Sequence, residues 1–397
     1  MPKLAFDMYQ TAAIAVAMLY LGVLLKRRIS VLEKFCIPSP VVGGLVFAIV
    51  SCILHGLGIV EFAFDETLKT VCMVAFFTSV GFQANVRVLK SGGVSLAIFL
   101  GCVIVLIIAQ NCVAVGLSSV LNISPLIGLC TGSIPMVGGH GTSGAFGPVL
   151  QDLGMDGATT LCTAAATFGL VTGSLMGGPL GRNLILRYDL IKTAVKSANE
   201  TPLVEEEEKH QRSVSMYAPA GYQIVIAMGL GTVVSMLLSK TGMTFPIYIG
   251  AMIIAAIMRN YSEFTGKFTV HIGEINDIGG ICLSLFLGIA MITLKLWQLA
   301  DLALPLVVLL LGQVVLMFLF AYFVVFNVLG RDYDAAILAA GTCGFGMGAT
   351  PNAMANMQVL TAKFVPSVKA YILVPIVGSM FADFLNSLTI TLFINFV

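Results

Sequence analysis

Charged side chains are scarce in this chain. Asp, Glu, Lys and Arg make up 10% of the 397 residues, whereas hydrophobic residues make up 58%. A soluble domain of this size needs more polar surface than that. Basic and acidic residues nearly cancel, at 21 and 20, so no excess of positive charge points to nucleic acid. The mean hydropathy of +0.99 and recurrent apolar runs of about 20 residues predict a helical protein that crosses the membrane many times.

Other features are missing as well. The apolar runs do not alternate with polar residues, which argues against a membrane β-barrel. The nine cysteines are scattered singly, so we expect small buried thiols and neither disulfides nor a metal centre. We expect no cofactor. No small-residue cleavage site follows the first apolar run, which we therefore interpret as a permanent span.

Apolar windows predict ten spans, near residues 9–25, 39–57, 68–86, 94–118, 157–181, 219–239, 244–258, 278–296, 303–328 and 367–395. Two further stretches, near 126–151 and 334–360, are broken at their centres by glycine and proline. Neither is typical of an ordinary span.

A polar linker separates the two halves. It includes four consecutive glutamates, which no membrane segment would contain. The predicted division is therefore a first repeat in residues 1–186, a cytoplasmic linker in 187–218 and a second repeat in 219–397.

Lysine and arginine are unevenly distributed over the two sides that these spans create. One side keeps only Lys3, Lys69, Lys240 and Lys295, and the other receives the rest of the 21. Because cytoplasmic loops are enriched in Lys and Arg, the richer side is predicted to be cytoplasmic. Both termini then face outward.

The two halves resemble each other at an offset of about 209 residues. "IPSPVVGGLVFAIV" at Ile37 matches "FPIYIGAMIIAAIM" at Phe245, and "LCTGSIPMVGGHGT" at Leu129 matches "AAGTCGFGMGAT" at Ala339. Each half holds an odd number of spans, so the second copy must be inserted upside down. The predicted fold class is an all-α polytopic membrane protein of two inverted repeats, each with five transmembrane helices and one re-entrant hairpin. Secondary transporters commonly have this architecture.

The broken stretches suit hairpins that reach half-way through the membrane. A limb of about 10 residues spans roughly 15 Å as a helix. We expect the first hairpin to enter from outside and the second from the cytoplasm, so that their tips meet. Glycines at the tips let a ligand approach the backbone, and free N–H groups at a helix N-terminus bind a carboxylate without arginine.

Polar side chains inside the neighbouring helices are candidates for ligand contact. An acidic group within a span is costly and usually functional, and the carboxylate of Asp383 suits sodium or a proton relay. Asn352 and Asn356 share one helix face. Hydrogen bonds that only join helices are the alternative for all three residues.

The tip sequences carry a family resemblance. "GGHGT" from Gly138 and "GFGMGATPNAMANMQ" from Gly344 resemble the bacterial sodium:glutamate symporter family, as do "LMGGPLGR", "SLFLGIAMITLKLWQLA" and "AFFTSVGFQANV". The resemblance implies sodium-coupled uptake of L-glutamate through the bacterial inner membrane, a homodimer and elevator-type movement. The chain differs from the family pattern at Val137, where a small polar residue is expected, and at Asn352, where threonine is usual.

Taken together, these features predict two sets of ligand residues. The predicted substrate-binding residues are Ser133, Gly138, Gly139, His140, Gly141, Thr142, Gly346, Thr350, Pro351, Asn352 and Asn356. The predicted sodium ligands are Asp383, Asn386, Asn356, Thr163 and Thr167. We expect His140 to contact the substrate, although it could instead only support the turn.

Three other functions compete with this one. "GTSG" at Gly141 resembles the serine motif of intramembrane proteases, but such an enzyme needs a histidine base within reach of Ser143, and the second tip has no serine. A channel with the hairpins as its filter is a second alternative. A sodium- or proton-coupled carrier for another amino acid or small dicarboxylate is the third.

Overall fold

The computed structural model describes residues 1–35, 37–87, 93–191, 214–240, 246–297 and 303–397, so most of the predicted linker lies outside the described residues. The elements of the first half are β1 (Lys3–Phe6), α1 (Met8–Arg28), α2 (Ser30–Lys34), α3 (Ser39–Gly56), β2 (Glu61–Phe64), α4 (Thr67–Gln83), α5 (Gly93–Val120), α6 (Pro125–Leu129), α7 (Ser133–Met136), α8 (Gly139–Asp152) and α9 (Ala158–Arg187). Those of the second half are α10 (Val214–Ser239), α11 (Ile249–Thr265), α12 (Ile272–Ile292), α13 (Ala303–Leu319), a π-helical turn (Phe320–Val325), α14 (Phe326–Val328), α15 (Tyr333–Gly346), α16 (Thr350–Thr361), α17 (Val368–Pro375), a second π-helical turn (Ile376–Phe381) and α18 (Ala382–Phe396).

Each of the ten predicted spans overlaps a helix among the described residues, and eight of these helices are long and apolar enough to cross a membrane. The other two predicted spans, α4 and α11, are 17 residues long and reach only about 25 Å. Helix α11 lies later in the chain than the predicted span near 244–258. It includes Arg259 and Glu263, whose charged groups pair one turn apart at 2.7 Å.

Both broken stretches form two limbs with a turn between them. The second stretch consists of α15 and α16, separated by Met347 to Ala349. In the first stretch, α8 forms one limb, and the other limb is two short pieces, α6 and α7, with a further break that the sequence did not predict. Each limb is too short to span a bilayer alone.

The helices pack as two groups. The first three spans of each half, α1, α3 and α4 with α10, α11 and α12, form one group, which we call the three-span group. The hairpin group comprises α5 to α9 and α13 to α18. Most helix packing occurs within a group. The largest cluster of buried apolar side chains belongs to the hairpin group and includes Leu106, Met317 and Phe345. Each half of the chain contributes its first three spans to one group and its remaining elements to the other.

Small residues let helices cross closely in the three-span group. A Cβ on Gly43 would lie 1.7 Å from the carbonyl oxygen of Met18, opposite Gly22. A Cβ on Gly250 would lie 2.1 Å from the carbonyl oxygen of Gly231. Both crossings therefore exclude any side chain, as is typical of tight helix pairs in membranes.

A two-stranded parallel sheet lies before α1 and α4, and the sequence did not predict it. β1 pairs with β2 in the register Lys3 to Glu61 through Phe6 to Phe64. The rings of Phe6 and Phe64 stack with centroids 5.3 Å apart. Strands of four residues are too short to show a recognisable alternation in the sequence.

Candidate functional site

Two helix N-termini meet where the hairpins turn. Helix α8 begins at Gly139, whose φ of +57° lies in the left-handed region that favours glycine. Helix α16 begins at Thr350, with Pro351 in its first turn, where the missing N–H is not needed. A Cβ on Gly139 would lie only 2.9 Å from the carbonyl oxygen of Gly348. The two tips are therefore in direct contact, as the sequence predicts.

A cavity of about 300 Å³ adjoins both tips, which is at the lower end of the range for small-ligand sites. The hairpin group lines it with residues 137–142, Leu170, Phe345, residues 348–351, Gly378, Ser379 and Asp383. The three-span group lines it with Pro38, Phe76, Phe77, Val80, Gln83, Leu283 and Leu287. The cavity thus lies on the boundary between the two groups.

Backbone donors are available at the first tip. The N–H groups of Gly139, His140 and Gly141 have no hydrogen-bond acceptor among the described residues, whereas the Thr142 N–H donates to the Gly138 carbonyl oxygen at 3.2 Å. Three free donors at the positive end of a 14-residue helix are an arrangement suited to an anion. The Thr350 N–H, at the start of α16, is a further donor at the second tip.

His140 is 4% exposed and lies in the cavity wall. Its Nε2 lies 3.0 Å from Thr167 Oγ1, and that hydroxyl already donates its one proton to the Thr163 carbonyl oxygen at 3.0 Å. The hydroxyl must therefore accept from His140 Nε2–H, which leaves Nδ1 as the acceptor of the neutral ring. His140 thus supports the turn through one nitrogen and has the other free for a ligand.

Asp383 is the charged residue of the cavity wall. Among the described residues, no lysine, arginine or hydrogen-bond donor pairs with its carboxylate. An unpaired carboxylate at membrane depth has a high free-energy cost. We therefore expect a positively charged ligand that enters the cavity to balance its charge.

A π-helical turn shapes the wall next to Asp383. Pro375 lies within the last span and cannot donate a backbone hydrogen bond, and the π-helical turn starts at the following residue. The Ser379 hydroxyl donates to the Pro375 carbonyl oxygen at 2.5 Å. Gly378, Ser379 and Asp383 all reach the cavity from this segment, in keeping with the frequent occurrence of π-bulges at functional sites.

Ser133 and Gly346 lie behind the tips and do not line the cavity. The Ser133 N–H and hydroxyl donate to Asn111 Oδ1 at 2.9 and 3.0 Å, and its carbonyl oxygen accepts from Asn386 Nδ2 at 3.0 Å. The Gly346 carbonyl oxygen accepts from Gln110 Nε2 at 2.7 Å. These bonds satisfy the backbone where the limbs are broken, which irregular structure inside a membrane requires.

Asn352 and Asn356 also lie outside the cavity wall. Asn352 Nδ2 donates to the Leu170 carbonyl oxygen at 3.0 Å and to Ser174 Oγ at 2.8 Å, and Asn356 Nδ2 donates to the Gly173 carbonyl oxygen at 2.9 Å. Both amides join α16 to α9, which is the structural alternative left open by the sequence. Their contact with a ligand stays a prediction.

The hydroxyls of Thr163 and Ser143 are engaged in local bonds. Thr163 Oγ1 donates to the Thr159 carbonyl oxygen at 2.8 Å. Ser143 Oγ donates to the Cys162 carbonyl oxygen at 3.2 Å, and His140 pairs with a threonine. Among the described residues, no histidine is hydrogen-bonded to Ser143, as the base of a serine protease would be.

Several residues that shape the site are absent from the sequence prediction. Gln110 and Asn111 are fully buried in α5, and an adjacent amide pair inside an otherwise apolar span was a signal for them. Pro375 was a comparable signal for the bulge in the last span. Phe76 and Gln83 had no such signal, because their place in the cavity depends on how α4 packs.

Comparison with known proteins places the chain in a family. The family model described as "Sodium/glutamate symporter" matches residues 4–366. The sodium/glutamate symporter of Escherichia coli K12 is 38% identical over 391 residues, covering 98% of this chain and 97% of its own. That of Haemophilus influenzae is 38% identical over 390 residues, covering 96% of each chain. Among solved structures, the sodium proton antiporter MjNhaP1 from Methanocaldococcus jannaschii aligns over 96% of both chains at 15% identity, with a TM-score of 0.39.

Proposed function

Because the chain belongs to the sodium/glutamate symporter family, we propose that it carries L-glutamate together with Na⁺ through the bacterial inner membrane. The observation that supports this most directly is the cavity at the hairpin tips. Free backbone donors and two helix N-termini border it on one side, and an unpaired carboxylate borders it on another. Such a site suits a small molecule that has both anionic groups and an amine.

Glutamate carries two carboxylates and one ammonium group. One carboxylate would bind the N–H groups of Gly139, His140 and Gly141. The other carboxylate would bind the N–H group of Thr350. The ammonium would bind His140 Nδ1 and Asp383. The hairpin tips would be held in position by hydrogen bonds outside the cavity, which involve Asn352, Asn356, Ser133 and Gly346. Asp383 and Asn386 would hold sodium. Thr163 and Thr167, which share one face of α9, would be further ligands.

The inverted repeat is also part of the proposal. The matching residues Cys72 and Cys282 contact each other across the two halves, with their thiols side by side. The fourth spans of the two halves, α5 and α13, are joined by Gln313 Nε2, which donates to the Gln110 carbonyl oxygen at 2.9 Å. Contacts between equivalent residues are what a two-fold relation between the halves would give.

The two helix groups suit an elevator in which the hairpin group moves against the three-span group. The cavity at their boundary would then open to either side of the membrane. In a homodimer, the three-span groups would form the fixed part, with lipid around it. By the charge distribution, both termini face the periplasm and the linker lies in the cytoplasm.

Uptake of radiolabelled glutamate into proteoliposomes tests the function. We expect saturable uptake that is driven by an inward sodium gradient and lost when choline replaces sodium. Glutarate, which has both carboxylates but no ammonium, should compete poorly. Uptake that follows a proton gradient alone would point to proton coupling. Ion currents far larger than the turnover rate of a carrier can produce would point to a channel. Stronger competition by glutarate than by glutamate would indicate a dicarboxylate carrier.

A further inference from the structure

One face of the last helix carries polar groups that lack partners. Asp383, Asn386 and Ser387 are spaced i, i+3 and i+4 and therefore share a face of α18. Asn386 and Ser387 are fully buried, and neither Asn386 Oδ1 nor Ser387 Oγ has a partner at ordinary hydrogen-bond distance among the described residues.

Tyr248, directly before α11, brings another such oxygen to this face. The residue is fully buried, and its hydroxyl has no partner at ordinary hydrogen-bond distance among the described residues. This hydroxyl makes only a long contact with the Ser387 hydroxyl and lies close to Asp383. Its ring stacks on Phe77, with centroids 4.0 Å apart, and meets the edge of Phe146 at 5.9 Å. The ring contacts fix the position of the hydroxyl.

The orientation of the Asn386 amide follows from its neighbour. Its Nδ2 donates to the Ser133 carbonyl oxygen at 3.0 Å, and a carbonyl oxygen can only accept. The NH₂ end must therefore point to Ser133, so Oδ1 is the free end. Buried polar groups are rarely left without partners, and each exception calls for an explanation such as an ion.

We propose that Tyr248 and Ser387 complete a sodium site with Asp383 and Asn386, behind the substrate cavity. This inference rests on the proposed sodium-coupled function and adds two ligands to it. Oxygen atoms from one carboxylate, one amide and two hydroxyls suit a hard cation. The described residues contain no group of three or more His, Cys, Asp or Glu side chains that could hold a transition metal.

The site would connect the two helix groups. Asp383, Asn386 and Ser387 belong to the hairpin group, whereas Tyr248 belongs to the three-span group. A bound ion therefore contacts both sides of the boundary. Asp383 also lines the substrate cavity, so the same carboxylate faces the ion and the substrate.

Equilibrium binding of ²²Na⁺ and the sodium activation of glutamate uptake test the inference. The variants are Tyr248→Phe, which keeps the ring and removes the hydroxyl, and Ser387→Ala. Tyr222→Phe and Ser119→Ala are matched controls, since Tyr222 is 68% exposed on α10 and Ser119 is exposed at the end of α5. We expect each test variant to raise the sodium concentration for half-maximal binding and uptake about tenfold, with the controls unchanged.

The outcomes separate the two proposals. If the wild type takes up glutamate without sodium, the proposed function fails. If the wild type depends on sodium but both variants bind ²²Na⁺ as it does, only the added ligands are refuted, even where uptake falls. If Tyr248→Phe does not elute as a monodisperse protein, Ser387→Ala and Ser387→Thr decide: the site requires loss of sodium affinity in the first and its partial recovery in the second.

Discussion

Replacing Asp383 by asparagine should separate sodium dependence from folding. The substitution keeps the size and one oxygen of the side chain and removes its charge. No group among the described residues pairs with the carboxylate, so the change leaves no buried partner without a bond. We therefore expect Asp383→Asn to be as stable to heat as the wild type, or more stable, because a partly buried charge has been removed.

The effect on sodium should be large. Two unit charges about 4 Å apart attract by roughly 4 kcal/mol at an effective dielectric constant near 20. Since about 1.4 kcal/mol corresponds to a tenfold change in affinity, the attraction amounts to nearly three orders of magnitude. Part of it offsets desolvation of the ion. We expect the variant to bind sodium about a hundredfold more weakly.

The assay compares ²²Na⁺ binding and sodium-activated uptake in proteoliposomes for the wild type, Asp383→Asn and a control. Asp152→Asn is suitable as the control, because Asp152 is exposed at the end of α8. Thermal unfolding in detergent verifies that the variant is folded. A folded Asp383→Asn protein with the sodium activation of the wild type would refute the role assigned to this carboxylate.

Substitutions at three further positions test the tips. His140→Gln keeps a donor at the Nε2 position and loses the Nδ1 acceptor, whereas His140→Asn keeps the acceptor and loses the donor. We expect the glutamine variant to lose about tenfold or more in glutamate affinity, measured by uptake. A larger loss in the asparagine variant would mean that the ring only supports the turn. Gly139→Ala meets an unfavourable φ that costs about 1 kcal/mol and pushes the tips apart, so uptake should fall sharply while Gly116→Ala, which has open space around it, stays active. Asn111→Ala leaves the Ser133 N–H without an acceptor at a cost of about 1–3 kcal/mol, which should appear as a lower thermal unfolding temperature; an unchanged temperature would show that the bond contributes nothing.

The hairpin tips could be predicted because glycine and proline cannot occur in such numbers inside a regular span. The breaks at Gly138 and at Met347 to Ala349 follow from this local rule. The break between α6 and α7 could not be predicted, because it depends on a partner far away in the chain. Asn111, on α5, supplies the acceptor that satisfies the Ser133 N–H there.

Side-chain roles were predictable in type but not in partner. The pattern showed that Asn352 and Asn356 share a helix face, and the structure shows that the face meets α9. Whether a buried amide meets a ligand or a carbonyl oxygen depends on which helix packs against it, and sequence spacing does not contain that information. Tyr248 shows the same limit: an aromatic residue next to a span is normally read as packing.

The charges at the cavity explain why glutamate and sodium should bind together. Asp383 contributes one negative charge and glutamate a net second one. The two helix N-termini offset about one unit in total, since each carries roughly half a positive charge. About one negative charge remains, and no lysine or arginine of the described part of the chain lines the cavity to balance it. A cation must supply that balance, so each ligand raises the affinity of the other.

Thermodynamic linkage requires the two factors to be equal: whatever sodium adds to glutamate binding, glutamate adds to sodium binding. A fixed arginine in place of the ion would bind glutamate as well but would leave no charge for the sodium gradient to act on, and the substrate would then move without coupling.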